Sequence, residues 1–226
     1  MCAMRAAALL PAPRGSVLEF GNQTWAADSV MPGMASTRSF YEKIGFNRYL
    51  AIDVNDRLDA VALDLNEDLL ARYDFEEQFN LVTNNGTSEH IFDQRMVFEN
   101  AHNVCRLGGV MLHILPFTPW LNHGFFNYNP IVFRDIAAAN GYEWLFALIG
   151  DRTGVQRQIE KEDFEWSFQE KRPAKLAEVL AGGGWKRPDV FFVACWRKTI
   201  DADFRIPLQS KYKASIADKD IAETYR

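Results

Sequence analysis

Two histidines stand where an imidazole can move a proton. His90 follows the apolar run 79–84 after a short polar turn, and His123 lies in the aromatic segment NHGFFNYNP, residues 122–130. A neutral imidazole beside a hydroxyl or an amine can accept its proton during a group transfer. The sequence therefore offers His90 and His123 as candidate general bases. Each has a structural alternative, since His90 can hydrogen-bond to backbone and His123 can simply shape a pocket.

A second set of polar residues and glycines lies in or directly after short apolar runs. Such runs are typical of parallel strands, whose carboxyl ends share the edge of the sheet where α/β folds bind nucleotides. The sequence predicts a nucleotide-like ligand there, contacted by Glu19, Gly21, Asn22, Gln23, Asp53, Asp64, Leu65, Asn84, Asn85 and Gly86.

Two of these positions have a clear physical role. Gly21 breaks the first apolar run and permits a close approach of backbone to ligand, because it has no side chain. Asp53 ends the second run, where a carboxylate can accept hydrogen bonds from both hydroxyls of a ribose. The alternative for Asp53 is a turn residue, since Asn55 and Asp56 follow it.

Apolar β-type runs alternate with helical patterns along the chain. We predict strands at 17–20, 48–54, 60–65, 79–84, 110–115, 142–148 and 190–196, and helices at 1–14, 36–45, 66–75, 88–105, 130–140 and 175–181. Pro116 is expected to end the fifth strand. The alternation implies right-handed crossovers and a mainly parallel sheet with helices on both faces.

Composition limits the classes of function. The 226 residues suit a single α/β domain, with a lid-like insertion at about 150–188 and a polar tail from about 199. A net charge of −5 without a long basic run argues against a nucleic-acid partner. Three widely spaced cysteines and no candidate membrane span favour a soluble, cytoplasmic protein.

Five segments together resemble class I S-adenosylmethionine-dependent methyltransferases. They are VLEFG (17–21), YLAID (49–53), ALDLN (62–66), FNLVTNNGTSEHI (79–91) and CRLGGVMLHILPF (105–117), and the resemblance covers about residues 15–200. It implies a Rossmann-like sheet of seven strands, mostly parallel, with an antiparallel last strand beside the sixth. The segments LVTNNGTSEH and NHGFFNYNP resemble a subgroup directed to small molecules or sugars.

The resemblance also implies a cofactor and an activity. S-adenosylmethionine would be the cofactor, with Glu19 facing its ammonium and Asn22 and Gln23 its methionine carboxylate or ammonium. Asp64 and Leu65 would meet the adenine, or Asp64 would only cap the helix that follows. Residues 84–86 would lie nearest the reacting methyl, or would only form a turn. The implied reaction is methyl transfer to an oxygen or nitrogen of a small-molecule or sugar acceptor. Nothing in the sequence itself requires a metal, although some members of the family that act on sugars use magnesium.

The glycine loop departs from the family pattern. Where the family usually has GxGxG, this chain has Gln23 and Trp25 at the second and third glycine positions. A methyltransferase-like binding module without activity is therefore one alternative. A nicotinamide-dependent oxidoreductase is another, although the chain lacks a Tyr-x-x-x-Lys pair near a serine. The acceptor, the atom that is methylated and the oligomeric state stay open.

Overall fold

The computed structural model describes residues 2–23, 36–160, 163 and 174–225. Trp25, residues 26–35 and part of the expected insertion at 150–188 lie outside the described residues. No helix within the described ranges is long and apolar enough to cross a membrane.

The described strands form one sheet. They are β1 (Ser16–Phe20), β2 (Arg48–Asp53), β3 (Val61–Ala62), β4 (Phe79–Asn85), β5 (Cys105–Thr118), β6 (Glu143–Asp151), β7 (Gln156–Ile159) and β8 (Val190–Arg197), in the order β3-β2-β1-β4-β5-β8-β6-β7. The pairs from β3 to β5 are parallel, and β8 is antiparallel to both β5 and β6. The predicted α/β fold, with an antiparallel last strand beside the sixth, is confirmed.

The predicted count of seven strands is wrong, because β7 adds an eighth at the edge beside β6. Its sequence is QRQI, in which only Ile159 is buried. A strand this short and polar shows no apolar alternation. It forms where β6 offers a free edge, and it occupies the start of the segment that we expected to be a lid.

Helices cover both faces of the sheet, as predicted. They are α1 (Cys2–Ala8), α2 (Thr37–Lys43), α3 (Leu69–Tyr73), α4 (Gln94–Val104), α5 (Pro130–Ala139), α6 (Ala174–Gly182) and α7 (Lys219–Thr224). Leu18 and Phe20 of β1 pack in one core with α3, α4, α5 and α6, whereas Val17 packs in the other with α1 and α2. This alternation follows from the pleat of the strand.

Several predicted boundaries change in the structure, and the helix predicted at 1–14 is limited to Cys2–Ala8. The helix predicted at 88–105 divides into a single 3₁₀ turn, Ser88–His90, and α4, because Asp93 caps a new helix by accepting a hydrogen bond from Met96 N at 2.9 Å. The third strand shrinks to Val61–Ala62. Pro116 does not end β5 but lies within it, opposite Phe191, next to a register irregularity that tolerates a residue without an N–H.

The polar tail packs back on the domain. Asn140 and Arg205 exchange two hydrogen bonds, with Asn140 Oδ1 accepting from Arg205 N at 2.7 Å and Asn140 Nδ2 donating to Arg205 O at 3.0 Å. Phe204 packs against the core, and His102 on α4 contacts the carbonyl oxygen of Ala202 at 2.7 Å. The tail therefore covers α4 and α5, away from the carboxyl edge of β1 and β2.

Candidate functional site

A cleft of about 340 Å³ opens at the carboxyl ends of β1, β2 and β4. It is lined by Gly21, Asn22, Gln23, Ile52, Asp53, Val54, Leu63, Asp64, Leu65, Asn66, Gly86, Thr87, His90 and Ile91. Most of the predicted ligand-contacting residues are thus brought together, and one predicted base, His90, lies among them. A cleft in this position is where open α/β sheets bind nucleotides.

Gly21 lines the cleft with its backbone in the left-handed region. Its φ is +79°, and its N–H donates to the carbonyl oxygen of Ile52 at 2.7 Å. A Cβ atom at this position would lie 2.3 Å from Thr87 Oγ1, whose hydroxyl donates to Phe20 O at 2.7 Å. Both the backbone conformation and the contact with Thr87 therefore require glycine here.

Asp53 ends β2 at the wall of the cleft, and its carboxylate is held in place. Oδ2 accepts from Asn22 N at 3.0 Å, and Oδ1 accepts from Asn55 Nδ2 at 2.6 Å and from Asn55 N at 3.3 Å. A carboxylate has about four lone-pair sites, so these contacts leave Oδ2 able to accept from a ligand. Its orientation is fixed before a ligand arrives.

The side chains of Asn22 and Gln23 tie the loop after β1 to the neighbouring turns. Asn22 Nδ2 donates to Asn55 Oδ1 and to Arg57 O, each at 2.9 Å. Gln23 Nε2 donates to Asn85 O at 2.7 Å. Their amide groups therefore stabilise the rim of the cleft, and the role in binding a methionine carboxylate stays a prediction.

Asp64 and Leu65 line the cleft beyond β3. Asp64 Oδ1 accepts from Asn66 N at 2.9 Å, and Asp64 N donates to Tyr73 Oη at 3.2 Å. Leu65 is buried and presents an apolar surface. The Asp64 amide is thus already paired, and Leu65 is the residue suited to pack against a flat apolar ring.

Glu19 does not line the cleft, so the expected direct contact with a ligand is not supported. Its side chain lies on the other face of β1, like that of Val17, and accepts hydrogen bonds from Tyr49 Oη at 2.7 Å and from Tyr41 Oη at 3.5 Å. Burial raises the pKa of Glu19 to about 7, although the two tyrosine hydroxyls oppose the rise. Glu19 therefore joins β1, β2 and α2.

Asn84 also turns away from the cleft. Asn84 Nδ2 donates to Ser88 Oγ at 3.0 Å and lies 3.2 Å from His113 Nδ1, while Asn84 Oδ1 accepts from Ser88 N at 3.2 Å. Burial lowers the pKa of His113 to about 3, so this imidazole is neutral and can accept. Asn84 thus positions the 3₁₀ turn that carries His90. Asn85 is exposed and meets Gln23 through its carbonyl.

The two predicted bases meet at a third residue, Glu89. Its oxygen Oε1 lies 3.8 Å from His90 Nε2 and 3.4 Å from His123 Nε2, and the two imidazole rings are 5.0 Å apart. The Glu89 side chain is 1% exposed, whereas those of His90 and His123 are 48% and 41% exposed. Burial raises the pKa of the Glu89 carboxyl, and the facing imidazoles oppose the rise.

Backbone contacts hold His123 at this place. Glu89 O accepts from Phe125 N at 2.7 Å and from Phe126 N at 3.3 Å. A Cβ atom at Gly124 would lie 2.8 Å from Glu89 O. The segment 122–130 therefore reaches Glu89 only because residue 124 is glycine.

Our reading of the sequence missed Glu89 and Thr87 as site residues. Both lie inside the GTSEH motif, and Glu89 directly precedes His90. The adjacent acid and histidine were a usable indication, but a pairing between Glu89 and His123 depends on a long-range contact that spacing does not show.

Several solved structures with the same architecture are described as methyltransferases. One, from Bacillus halodurans and provisionally assigned as a methyltransferase, has a TM-score of 0.55 and 12% identity, covering 87% of this chain and 97% of that one. The chain has the Rossmann-like methyltransferase fold. A geranyl diphosphate C-methyltransferase from Streptomyces coelicolor has a TM-score of 0.51 and 11% identity, covering 86% and 74%.

A third structure with this fold is the complex of the Haloferax volcanii Trm112 methyltransferase activator with its provisionally assigned methyltransferase. The TM-score is 0.52 and the identity 13%, with 88% of this chain and 89% of that chain covered. No family model matches the sequence. No curated protein matches it either.

Proposed function

We propose that the protein transfers a methyl group from S-adenosylmethionine to an oxygen or nitrogen of a small molecule or sugar. The observation that carries the proposal is the cleft that Gly21 and Asp53 line, at the carboxyl edge of a methyltransferase-type sheet. The Streptomyces coelicolor methyltransferase of this fold contains S-adenosylhomocysteine, which supports S-adenosylmethionine as the cofactor here.

In this proposal each lining residue has a defined task. Asp53 accepts hydrogen bonds from the ribose hydroxyls, and Leu65 packs against the adenine. Gly21 and Gly86 let the backbone approach the methionine part of the cofactor. The sulfonium is already a good leaving group, so the protein acts mainly by aligning acceptor, methyl carbon and sulfur in one line.

The acceptor would bind beside His90 and His123, at the end of the cleft nearest β4. Removal of the acceptor proton is the step that an imidazole or the Glu89 carboxylate can assist. The net charge of −5 supports a small acceptor rather than a nucleic acid. The three free cysteines support the cytoplasm as its location, and the tail packed on α4 and α5 supports a single domain.

The proposal is tested with S-adenosylmethionine labelled in its methyl group. Purified protein is incubated with a cell extract cleared of macromolecules, and labelled products are identified by mass spectrometry. We expect a labelled small molecule whose yield, at a limiting concentration of S-adenosylmethionine, falls when Asp53→Ala replaces the wild type. A fully folded protein that binds S-adenosylhomocysteine but labels nothing in any extract would favour the binding module without activity.

Variants of His90 and His123 distinguish a role in catalysis from a role in binding. If His123 is the base, His123→Gln leaves cofactor affinity nearly unchanged and lowers turnover by roughly 10²–10⁴-fold. His90→Gln is the matched comparison, and the variant with the pure rate defect identifies the base. Wild-type turnover in a variant that carries both changes would exclude proton transfer by either imidazole.

A further inference from the structure

A buried carboxylate without a hydrogen-bond partner lies beneath two half-exposed imidazoles. Neither Oε1 nor Oε2 of Glu89 has a hydrogen-bond partner within the described part of the chain. An ionised carboxylate that is removed from water and left unpaired is costly. Such a group in an ordered position needs a compensating positive charge, and the two ring nitrogens that face it are themselves potential metal ligands.

We propose that Glu89, His90 and His123 bind a divalent first-row transition-metal ion, and that zinc fits the donor set best. One ligand atom from each residue lies within 4.8 Å of the other two. Around a tetrahedral ion with bonds of about 2.1 Å, ligand atoms are about 3.4 Å apart. The observed distances of Glu89 Oε1 from His123 Nε2 and His90 Nε2, 3.4 and 3.8 Å, are close to this value.

The chemistry of the donors favours zinc and its neighbours over magnesium or calcium. Two imidazole nitrogens and one carboxylate oxygen suit zinc, iron and nickel, whereas magnesium and calcium prefer oxygen ligands. Three protein ligands also leave a position open, which is typical of catalytic rather than structural zinc sites. The open side faces solvent, because both imidazoles are about half exposed.

The site is rigid on one side and adjustable on the other. Glu89 is fixed by the backbone contacts of the segment 122–130 and by the close packing of Gly124 against it. His90 and His123 are at the surface, so their rings can rotate to close the remaining distance. This division lets the ion complete the site without moving the sheet.

The position of the site indicates its use, which rests on the proposed function. His90 also lines the cofactor cleft, so a ligand of the ion would lie at the end of that cleft. A hydroxyl bound to the ion loses its proton to water more readily, because the ion acts as a Lewis acid. The acceptor class is therefore an alcohol or phenol.

The transfer then balances without another reactant. An oxygen lone pair of the metal-bound alkoxide forms the new bond to the methyl carbon, and the electron pair of the carbon–sulfur bond stays on sulfur. The anionic alkoxide and the cationic sulfonium give a neutral ether and a neutral thioether. In this proposal the two histidines hold the ion instead of acting as bases, which differs from the expectation that no metal takes part.

Metal binding is measured first, without any turnover. Chelator-treated wild type is titrated with zinc by calorimetry and with cobalt by visible absorption. We expect one ion per chain, and Glu89→Gln and His123→Gln each to weaken binding by about 100-fold or more. Glu143→Gln, which removes an exposed carboxylate on β6, is the control and should bind as the wild type does.

Thermal unfolding shows whether Glu89→Gln, a change at a buried residue, still folds. Without metal, Glu89→Gln should melt at or above the wild-type temperature, because it removes a buried charge that has no hydrogen-bond partner. Zinc should raise the melting temperature of the wild type but not of Glu89→Gln, since an ion that binds the folded state stabilises it. Absence of one-to-one binding to folded wild type, or unchanged affinity in both ligand variants, overturns the proposal.

Asp53→Ala separates this proposal from the proposed function. It should lose affinity for S-adenosylhomocysteine and keep its affinity for zinc. If the wild type binds zinc but not S-adenosylhomocysteine, the metal site stands and the methyltransferase proposal fails. If it binds S-adenosylhomocysteine but zinc affinity is unaffected by Glu89→Gln and His123→Gln, the metal site fails and the methyltransferase proposal stands.

Discussion

Replacing Glu19 with glutamine should stabilise the protein at neutral pH and leave its ligand affinity unchanged. The Glu19 carboxyl is 2% exposed and sits against Tyr49 and Tyr41 on the face of β1 opposite the cleft. Glutamine keeps an oxygen that accepts from the Tyr49 hydroxyl but has no charge to bury. The free energy of unfolding should therefore respond to this change in a pH-dependent way.

The magnitude follows from the pKa of Glu19, which burial raises from 4.5 to about 7. Because its folded-state pKa is the higher one, the folded protein binds the proton more tightly, and stability falls as the pH rises from 4.5 to about 7. One pKa unit corresponds to about 1.4 kcal/mol, so the carboxylate costs the wild type about 3 kcal/mol above this window. The glutamine variant does not carry this cost.

The assay is urea unfolding of the wild type and Glu19→Gln at several pH values. The advantage of the variant should grow by about 2–3 kcal/mol between about pH 5 and about pH 8. Glu42→Gln on the same helix as Tyr41 is the control for removing an exposed carboxylate. A stability difference that stays constant across this pH range would refute the reasoning. Weaker binding of S-adenosylhomocysteine by Glu19→Gln would show that Glu19 contributes to the ligand site.

Two glycine substitutions test how the site is held. Gly21→Ala should destabilise the fold by about 1–3 kcal/mol and weaken S-adenosylhomocysteine binding, because it combines a positive φ with a Cβ atom 2.3 Å from Thr87 Oγ1. Wild-type stability and affinity in this variant would contradict the account of the loop. Gly124→Ala should displace His123 from Glu89 and lower zinc affinity at least tenfold while cofactor affinity is kept. Calorimetry checks both affinities, and unchanged zinc affinity would show that the segment 122–130 is not held by this contact.

The residues at the carboxyl edge of the sheet could be predicted well, because the end of a strand is marked by its own local sequence. Gly21 and Asp53 were found from the ends of apolar runs, and both line the cleft. The face of the strand on which each side chain lies was harder to predict. Glu19 and Asn84 belong to the correct strands, but strand position alone does not show which face of β1 or β4 meets the ligand.

Other differences arise from tertiary contacts. Pro116 continues β5 because β8 pairs with it, and the polar β7 forms only against the edge of β6. The contact of Glu89 with His123 depends on backbone hydrogen bonds between segments far apart in sequence. Local propensity carries no information about such contacts, so the cluster of Glu89 and the two histidines became visible only in the fold.

The most direct test of the central claim is calorimetric titration of S-adenosylhomocysteine into the wild type and Asp53→Ala. We predict one binding site in the wild type, no binding of NADH or NADPH, and a Kd about 10–100-fold weaker in Asp53→Ala. A charged acceptor for two ribose hydroxyls contributes on the order of 1.5–3 kcal/mol, which gives this range. Failure of the folded wild type to bind S-adenosylhomocysteine, or the same Kd in both proteins, would contradict the account.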